Sequence, residues 1–198
     1  MVRTRPSQGC NPGSTPGKVT DLLWYNICVK NYTLLLMVSG DAKEKIEQIR
    51  LKHTGSKFVD ALAPHLTIRG RFELRDGVSE DEVVRIIEKL GLPKVESLPE
   101  KMDKIGDACV ISINSDEIKR MHIYVLSKLE RSTISIRPER ERENFHSHIT
   151  VFRNTNKQIT LKDLPDVFSF GQLCLYEMDP SVEKKWVKKI TCFDLSLV

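Results

Sequence analysis

The chain carries one short signature twice, and each copy closes a similar stretch of predicted structure. The first copy is HLTI at residues 65–68, and the second is HITV at residues 148–151. Before each copy, a strand-like apolar run is followed by a pattern of helical spacing. The sequence therefore predicts two strand–helix–strand units, related by a pseudo-twofold axis.

The predicted boundaries follow from apolar spacing and from capping residues. They are a strand over 32–39, a helix over 41–52 and a strand over 65–74 in the first unit, and a strand over 108–113, a helix after Ser115 and a strand over 146–153 in the second. Ser79 and Glu82 predict a capping box for a helix over 79–90 between the units. The buried stripe predicted for the second-unit helix consists of Met121, Tyr124, Val125 and Leu129. The remaining predicted elements are a short helix over 162–167 and strands over 170–178 and 186–198.

Each signature presents an imidazole and a hydroxyl on the same face of its strand, because residues i and i+2 lie on one face about 6.6 Å apart. Two such strands in the middle of a split sheet would surround one pocket with His65, Thr67, His148 and Thr150. One neutral imidazole accepts a proton from an attacking water or ribose hydroxyl, and the other, protonated, delivers one to the departing oxygen. The hydroxyls donate to the non-bridging phosphate oxygens. This pattern predicts phosphodiester chemistry that requires no metal.

The alternative is that these are ordinary strand histidines. One H-x-T triplet would mean little, since chance predicts about 0.3 in a chain of this content. Taken singly, His65 or His148 is better explained as a half-buried strand residue, but the pair in matched places favours catalysis. His146 shares a face with His148 and is predicted at the pocket rim, because no carboxylate at fitting spacing supports a metal site. His53 and His122 are predicted as cap or surface residues.

Arginines near the signatures leave two interpretations open. By strict alternation Arg69 lies on the face of His65 and Thr67, where it either holds a phosphate or is a solvated arginine at a strand end. Residues 131–143 interleave arginines with glutamates. They predict a solvated loop, with contact to RNA phosphates as the alternative.

The charge and the cysteines restrict the kind of protein further. The formal net charge is +4, but Arg3, Arg5 and Lys18 precede the first acidic residue, so residues 19–198 carry only +1. This charge does not support a broad phosphate-binding surface, so a site for an anion would have to be formed by a local group of basic residues. The five cysteines include no C-x-x-C pair, which predicts reduced thiols, a cytoplasmic location, and neither a zinc site nor a disulfide framework.

The N-terminal part is predicted to lie outside the folded domain. Residues 1–18 are rich in glycine and proline and poor in large apolar side chains, so residues 1–31 are predicted as a leader that is flexible at least to 18. The domain is expected over 32–198. The apolar run over 22–38 is interrupted and shorter than the roughly 20 residues of a membrane span, so no membrane partner is expected.

Two runs resemble the motifs of a known family. PHLTIRG at 64–70 and FHSHITVFR at 145–153 look like the two motifs of the two-histidine (2H) phosphoesterases, which include 2′-5′ RNA ligases and RNA 2′,3′-cyclic phosphodiesterases. The resemblance covers about residues 32–198. It implies a bilobal, duplicated α+β fold in which two antiparallel sheets flank a central groove, with helices on the outside. The lobes would cover roughly 32–106 and 107–198, with or without exchange of the terminal strands.

The resemblance also implies an activity. Family members open or form cyclic phosphates at RNA ends or on nucleotides without a metal or another cofactor, and 2′-5′ RNA ligation is a related activity. The implied site residues are His65 and His148 as acid and base, in either order, and Thr67, Thr150, Arg69 and Arg153 as phosphate ligands. Arg153 resembles an arginine often found after the second motif, but it needs a twist or bulge to turn toward Thr150. The expected partner is RNA or a nucleotide with a cyclic phosphate, and the expected state is a monomer. The alternative is a nucleotide- or RNA-binding module that uses the same pocket without turnover.

Overall fold

The computed structural model describes residues 30–54, 62–153, 159–178 and 187–196. Its strands are β1 (Asn31–Ser39), β2 (His65–Leu74), β3 (Val95–Ser97), β4 (Pro99–Ile105), β5 (Ala108–Ile113), β6 (Thr133–Ser135), β7 (His148–Arg153), β8 (Phe168–Met178) and β9 (Val187–Asp194). Its α-helices are α1 (Gly40–Thr54), α2 (Glu80–Glu88) and α3 (Asp116–Leu129). Nearly all of the predicted leader lies outside the described residues. Within them, no helix has the length and apolar character that a membrane crossing requires.

The two predicted strand–helix–strand units are present as β1-α1-β2 and β5-α3-β7. Two predicted N-caps are confirmed, since Ser79 Oγ accepts from the Glu82 N–H at 3.2 Å and Ser115 Oγ accepts from the Ile118 N–H at 3.3 Å. Helix α1 is slightly longer than the predicted helix over 41–52, since it covers Gly40–Thr54 and has Asp41 in its first turn.

Several elements depend on contacts that a local pattern does not reveal. The three-residue strands β3 and β6 form by pairing with β8 and β2, which are distant in sequence. Strand β4 lies at the sheet edge, and its charged residues hide the apolar alternation that predicts strands. The predicted helix over 162–167 is a single 3-10 turn, Leu161–Asp163, and two more such turns lie at Pro138–Arg140 and Arg142–Asn144.

The described strands form one nine-stranded sheet rather than the two separate sheets expected. The order is β3-β8-β1-β2-β7-β5-β4, with β6 added to β2 and β9 added to β8. The halves join where Leu66 of β2 pairs with Ile149 of β7, because these strands satisfy each other's backbone groups there. Strand β8 pairs along β1 from Asn31 to Ser39, so a strand from the C-terminal part of the chain lies beside the first one.

The two faces of the sheet differ. Helices α1, α2 and α3 cover one face, here called the helix face, and bury Leu66, Ile68, Ile149 and Val151 in the main core. The opposite face, here called the far face, carries a small apolar cluster that consists of Leu35, Cys174 and Tyr176. A side chain on β2 or β7 therefore points either into the helix-covered core or to the far face.

Two predictions about α3 are wrong. Tyr124 is 40% exposed, whereas His122, predicted at the surface, is 1% exposed. His122 Nδ1 lies 2.6 Å from the Ile68 carbonyl oxygen, and the Arg142 N–H donates to His122 Nε2 at 3.0 Å. A polar ring can occupy this core position because both of its nitrogens have backbone partners.

The prediction of reduced cysteines is wrong for one pair. Cys174 and Cys192 form a disulfide between β8 and β9, where the register sets them directly opposite each other with a Cα–Cα distance of 4.1 Å. Sequence spacing does not reveal this register. Cys109 has a free thiol. The cysteines therefore no longer support the inference of a reducing compartment.

Candidate active site

The two signatures meet at the centre of the sheet. The pair Leu66–Ile149 fixes an antiparallel register in which each signature histidine lies opposite the threonine of the other signature. Because Leu66 and Ile149 point into the helix-face core, their flanking residues point to the far face. The side chains that share this face are His65, Thr67, His148 and Thr150. The histidines occupy a diagonal of this pairing, for which typical separations are about 7–8 Å, so they bracket one shared space.

Both imidazoles are held in the same way. His65 Nδ1 lies 2.8 Å from the carbonyl oxygen of Ala63, and His148 Nδ1 lies 2.9 Å from that of His146. A carbonyl oxygen only accepts, so Nδ1 carries the proton in each ring. In the neutral imidazole Nε2 is then the free base. Each signature thus presents an Nε2 lone pair that is oriented by the backbone two residues earlier.

The hydroxyls of Thr67 and Thr150 are available as donors. Both side chains are half-buried. Among the residues that the structure describes, neither hydroxyl has a hydrogen-bond partner. A bound oxyanion on the far face would therefore meet two uncommitted O–H groups.

The surroundings of His65 keep its imidazole neutral. Burial lowers the pKa of His65 to about 4; the hydrogen bond to the Ala63 carbonyl opposes this shift, and the charges of Arg50 and His148 add to it. The effect of His148 on His65 also agrees with the closeness that the register requires. At neutral pH, His65 is therefore poised to accept a proton.

His148 experiences a similar environment. Burial lowers the pKa of His148 against the opposing hydrogen bond to the His146 carbonyl, and the charges of His146, Arg153 and Arg140 lower it further. Among the described residues, every charged side chain that shifts the pKa of either signature histidine is basic. The shared space is therefore locally positive, which favours an anionic ligand.

Arg50 is a supporting residue that the sequence analysis missed. This buried side chain of α1 donates from Nη2 to the Thr150 carbonyl at 2.7 Å and from Nε to the Val151 carbonyl at 2.9 Å. Its Nη1 donates to the Leu62 carbonyl at 2.9 Å. One guanidinium thus ties the second signature to the segment that leads into the first. No local signal identifies it, because two of these partners lie about a hundred residues away.

Arg69 does not lie on the face of the signature side chains. In the pairing of β1 with β2, Thr67 is opposite Leu35 but Arg69 is opposite Leu34, which marks a bulge. Since Leu34 and Leu35 point to opposite faces, Arg69 points to the helix face, where it is 2% exposed and its guanidinium lies 4.6 Å from the Phe72 ring centroid. The expectation that Arg69 joins His65 and Thr67 assumed strict alternation, which the bulge breaks.

Arg153 turns in the opposite sense. On β5, Val110 is opposite Thr150 and Ala108 is opposite Arg153, with a register shift in between. Because Val110 and Ala108 share a face, this bulge returns Arg153 to the face of Thr150. The side chain is about half exposed and forms an ion pair with Asp107 at 2.8 Å. The bulge that Arg153 needs to turn toward Thr150 is therefore present in the backbone.

The other histidines lie outside the two signatures. His146 is exposed, and its ring stacks on that of His148 with centroids 5.6 Å apart. His53 stacks on Phe152 at 5.5 Å. Over the described ranges, no three His, Cys, Asp or Glu side chains are grouped so that they could hold a metal ion.

Solved structures share this architecture, although no protein-family model and no curated protein matches the chain. LigT of E. coli, in its apo form, is 17% identical over 85% of this chain and 98% of its own, with a TM-score of 0.55. A structure described as a phosphoesterase is 16% identical over 84% and 99%, also with a TM-score of 0.55. The chain shares the fold of LigT and of this phosphoesterase. TT0787 of Thermus thermophilus shares this fold at 10% identity over 83% and 97%, with a TM-score of 0.59.

The shared fold agrees with the resemblance of HLTI and HITV to the two-histidine phosphoesterases, and at these identities the likeness concerns the fold alone. Structures of E. coli LigT include complexes with 3′-AMP, phosphate, ATP and NADP+.

Proposed function

We propose that this chain is a metal-independent phosphoesterase that opens 2′,3′-cyclic phosphates at RNA ends or on nucleotides. One observation carries the proposal: the register at Leu66–Ile149 sets two H-x-T pairs around one space, each with Nδ1 of its histidine fixed by a backbone carbonyl. The fold shared with LigT and with a phosphoesterase supports the reaction class.

In the proposed hydrolysis one histidine accepts a proton and the other histidine donates one. A water attacks the phosphorus of the cyclic diester, and the neutral Nε2 of one histidine accepts its proton. A new P–O bond forms while the bond to one ribose oxygen breaks. The protonated Nε2 of the other histidine gives its proton to that oxygen, which leaves a phosphomonoester and a free hydroxyl. With the 5′-hydroxyl of a second RNA in place of water, the same attack forms a 2′-5′ diester while the bond to the 3′ oxygen breaks, which is 2′-5′ RNA ligation.

The roles of the histidines follow from their surroundings. The pKa of His65, at about 4, leaves this imidazole neutral throughout the physiological range, which suits the base in hydrolysis. His148 then acts as the acid. A bound phosphate anion raises the pKa of a nearby imidazole, so the substrate itself favours the protonated form that His148 needs.

The remaining groups stabilise the phosphate. Thr67 and Thr150 donate their uncommitted hydroxyls to the non-bridging oxygens, where charge accumulates in the transition state. Arg153 and Arg140, whose charges act on His148, contact the phosphate or the next nucleotide. Because these groups come from one chain, a monomer suffices for the reaction.

The test is turnover of 2′,3′-cyclic nucleotides, and of a short RNA with a 2′,3′-cyclic phosphate end, in the presence of EDTA. We expect a single phosphomonoester product, and its 2′ or 3′ position identifies the broken bond. His65→Ala and His148→Ala should yield no product. The matched control is His146→Ala, which removes an exposed imidazole but keeps the backbone carbonyl that orients His148; it should retain activity within a few fold.

Loss of turnover in EDTA would contradict the proposal. Nucleotide binding without product, abolished by His65→Ala, would instead identify a binding module that uses the same pocket.

A further inference from the structure

A second polar cavity lies on the helix face, behind the strand that carries the first signature. Its volume is about 300 Å³, and it lies between β2, β6, the end of α3 and the loop before β7. None of the four signature side chains lines it. It is therefore distinct from the proposed catalytic space, and its ligand does not depend on the proposed function.

The floor of this cavity is a buried arginine with uncommitted donors. Arg69 is 2% exposed, and its Nε and Nη1 groups have no hydrogen-bond partner among the described residues. One face of its guanidinium lies on the Phe72 ring, so the edge that bears the N–H groups remains for a ligand. The nearest carboxylate oxygen, Glu141 Oε1, is 3.9 Å from Nε and accepts from Ser135 Oγ at 2.7 Å. Buried N–H groups without hydrogen-bond partners are costly, and an anion in the cavity would accept from them.

Two further arginines stand at the rim. Arg75 and Arg142 are exposed and line the same cavity. Arg75 Nε donates to the Glu130 carbonyl at 3.3 Å, and Arg142 Nη2 lies 3.5 Å from Glu130 Oε2. The charged residues that line the cavity are these three arginines and two glutamates, Glu130 and Glu141, so the formal charge of the lining is +1. Arg69 lies on β2, Arg75 directly follows this strand, and Arg142 lies in the loop before β7, so the three arginines line the cavity from different segments of the chain.

We propose that this cavity binds a phosphate-class oxyanion, with Arg69 as the floor and Arg75 and Arg142 as the rim. A tetrahedral anion offers acceptor oxygens in several directions, which suits donors that converge from different elements better than a planar carboxylate does. Guanidinium N–H pairs match phosphate oxygens geometrically. The volume is at the small end of ligand sites, so inorganic phosphate or the phosphate end of a small ester is the ligand class.

The experiment is equilibrium dialysis of the full chain against radiolabelled inorganic phosphate. A background variant with His65→Ala, His148→Ala, Thr67→Val and Thr150→Val removes the imidazoles and hydroxyls of the proposed catalytic space, so the phosphate that is still bound reports the helix-face cavity. In that background, Arg75→Gln with Arg142→Gln should weaken binding at least about tenfold. These rim residues are exposed, so their replacement keeps the fold. Arg120→Gln, an exposed arginine of α3 outside the cavity, removes the same kind of charge and should leave binding unchanged.

Arg69→Gln should abolish the remaining site, with circular dichroism to verify folding. No phosphate bound by the background variant at millimolar concentration would overturn the proposal. Equal weakening by Arg120→Gln and by the rim variant would also overturn it, because the effect would then be general electrostatics. A chain without phosphoesterase turnover would still bind this phosphate, so the failure of one proposal is distinguishable from the failure of the other.

Discussion

The low pKa of His65 makes the stability of the fold dependent on pH in a defined window. The pKa falls from an ordinary 6.5 to about 4 on folding. As the pH falls below 6.5, the unfolded chain takes up the proton first, so the folded state loses stability until the pH reaches the folded pKa. At 1.36 kcal/mol for each unit, the loss is about 3 kcal/mol between about pH 6.5 and 4. Above pH 6.5 the contribution is complete and constant.

The assay is urea unfolding at about pH 7.5 and about pH 4. Other groups titrate in this range, so wild type is compared with His65→Asn. Asparagine retains a donor for the Ala63 carbonyl but takes up no proton. The wild type should lose about 3 kcal/mol more than the variant between the two pH values. An equal loss in both proteins would refute the reasoning, because His65 would then have no depressed pKa.

Three further predictions concern the supporting structure. Arg50→Met leaves three backbone carbonyls without their donor, so urea unfolding should show a loss of about 3 kcal/mol or more; a loss below about 1 kcal/mol would contradict this role. Reduction of Cys174–Cys192, which are 18 residues apart, should lower the free energy of unfolding by about 3 kcal/mol, whereas Cys174→Ser/Cys192→Ser should be insensitive to reductant. Burial lowers the pKa of His122, and protonation removes the acceptor for the Arg142 N–H. Hydrogen exchange at Arg142 should therefore accelerate beyond its intrinsic rate only at a pH well below the ordinary imidazole pKa; acceleration that already begins near that ordinary pKa, or constant protection into strong acid, would argue against this account.

Much of the candidate site could be predicted from the sequence, because the pattern that identifies it lies within two short motifs. Alternation within HLTI and HITV predicts which residues share a face, and the structure sets both signatures on the far face. The caps at Ser79 and Ser115 are equally local, since each involves a backbone N–H three residues later.

The features that the sequence did not predict depend on pairing between distant strands. A bulge follows the threonine of each signature. It turns Arg69 away from the far face and returns Arg153 to it. Whether a strand bulges depends on the register of its neighbour, which alternation within one strand cannot reveal.

The same reason explains the other differences. The disulfide depends on the register of β8 and β9, which sets Cys174 opposite Cys192. The single sheet depends on the pair Leu66–Ile149. Arg50 reads as an ordinary helix arginine until β7 packs against α1 and supplies its carbonyl partners.

The most direct test of the central claim is a double-mutant comparison of the two signature histidines. We would measure kcat/KM for a 2′,3′-cyclic nucleotide with His65→Ala, His148→Ala and the double variant. If both imidazoles act on one phosphate, each single change should lower kcat/KM by about a thousandfold or more, and the double change should cost little beyond either one. Near wild-type activity in one single variant, or losses that multiply in the double variant, would contradict the account.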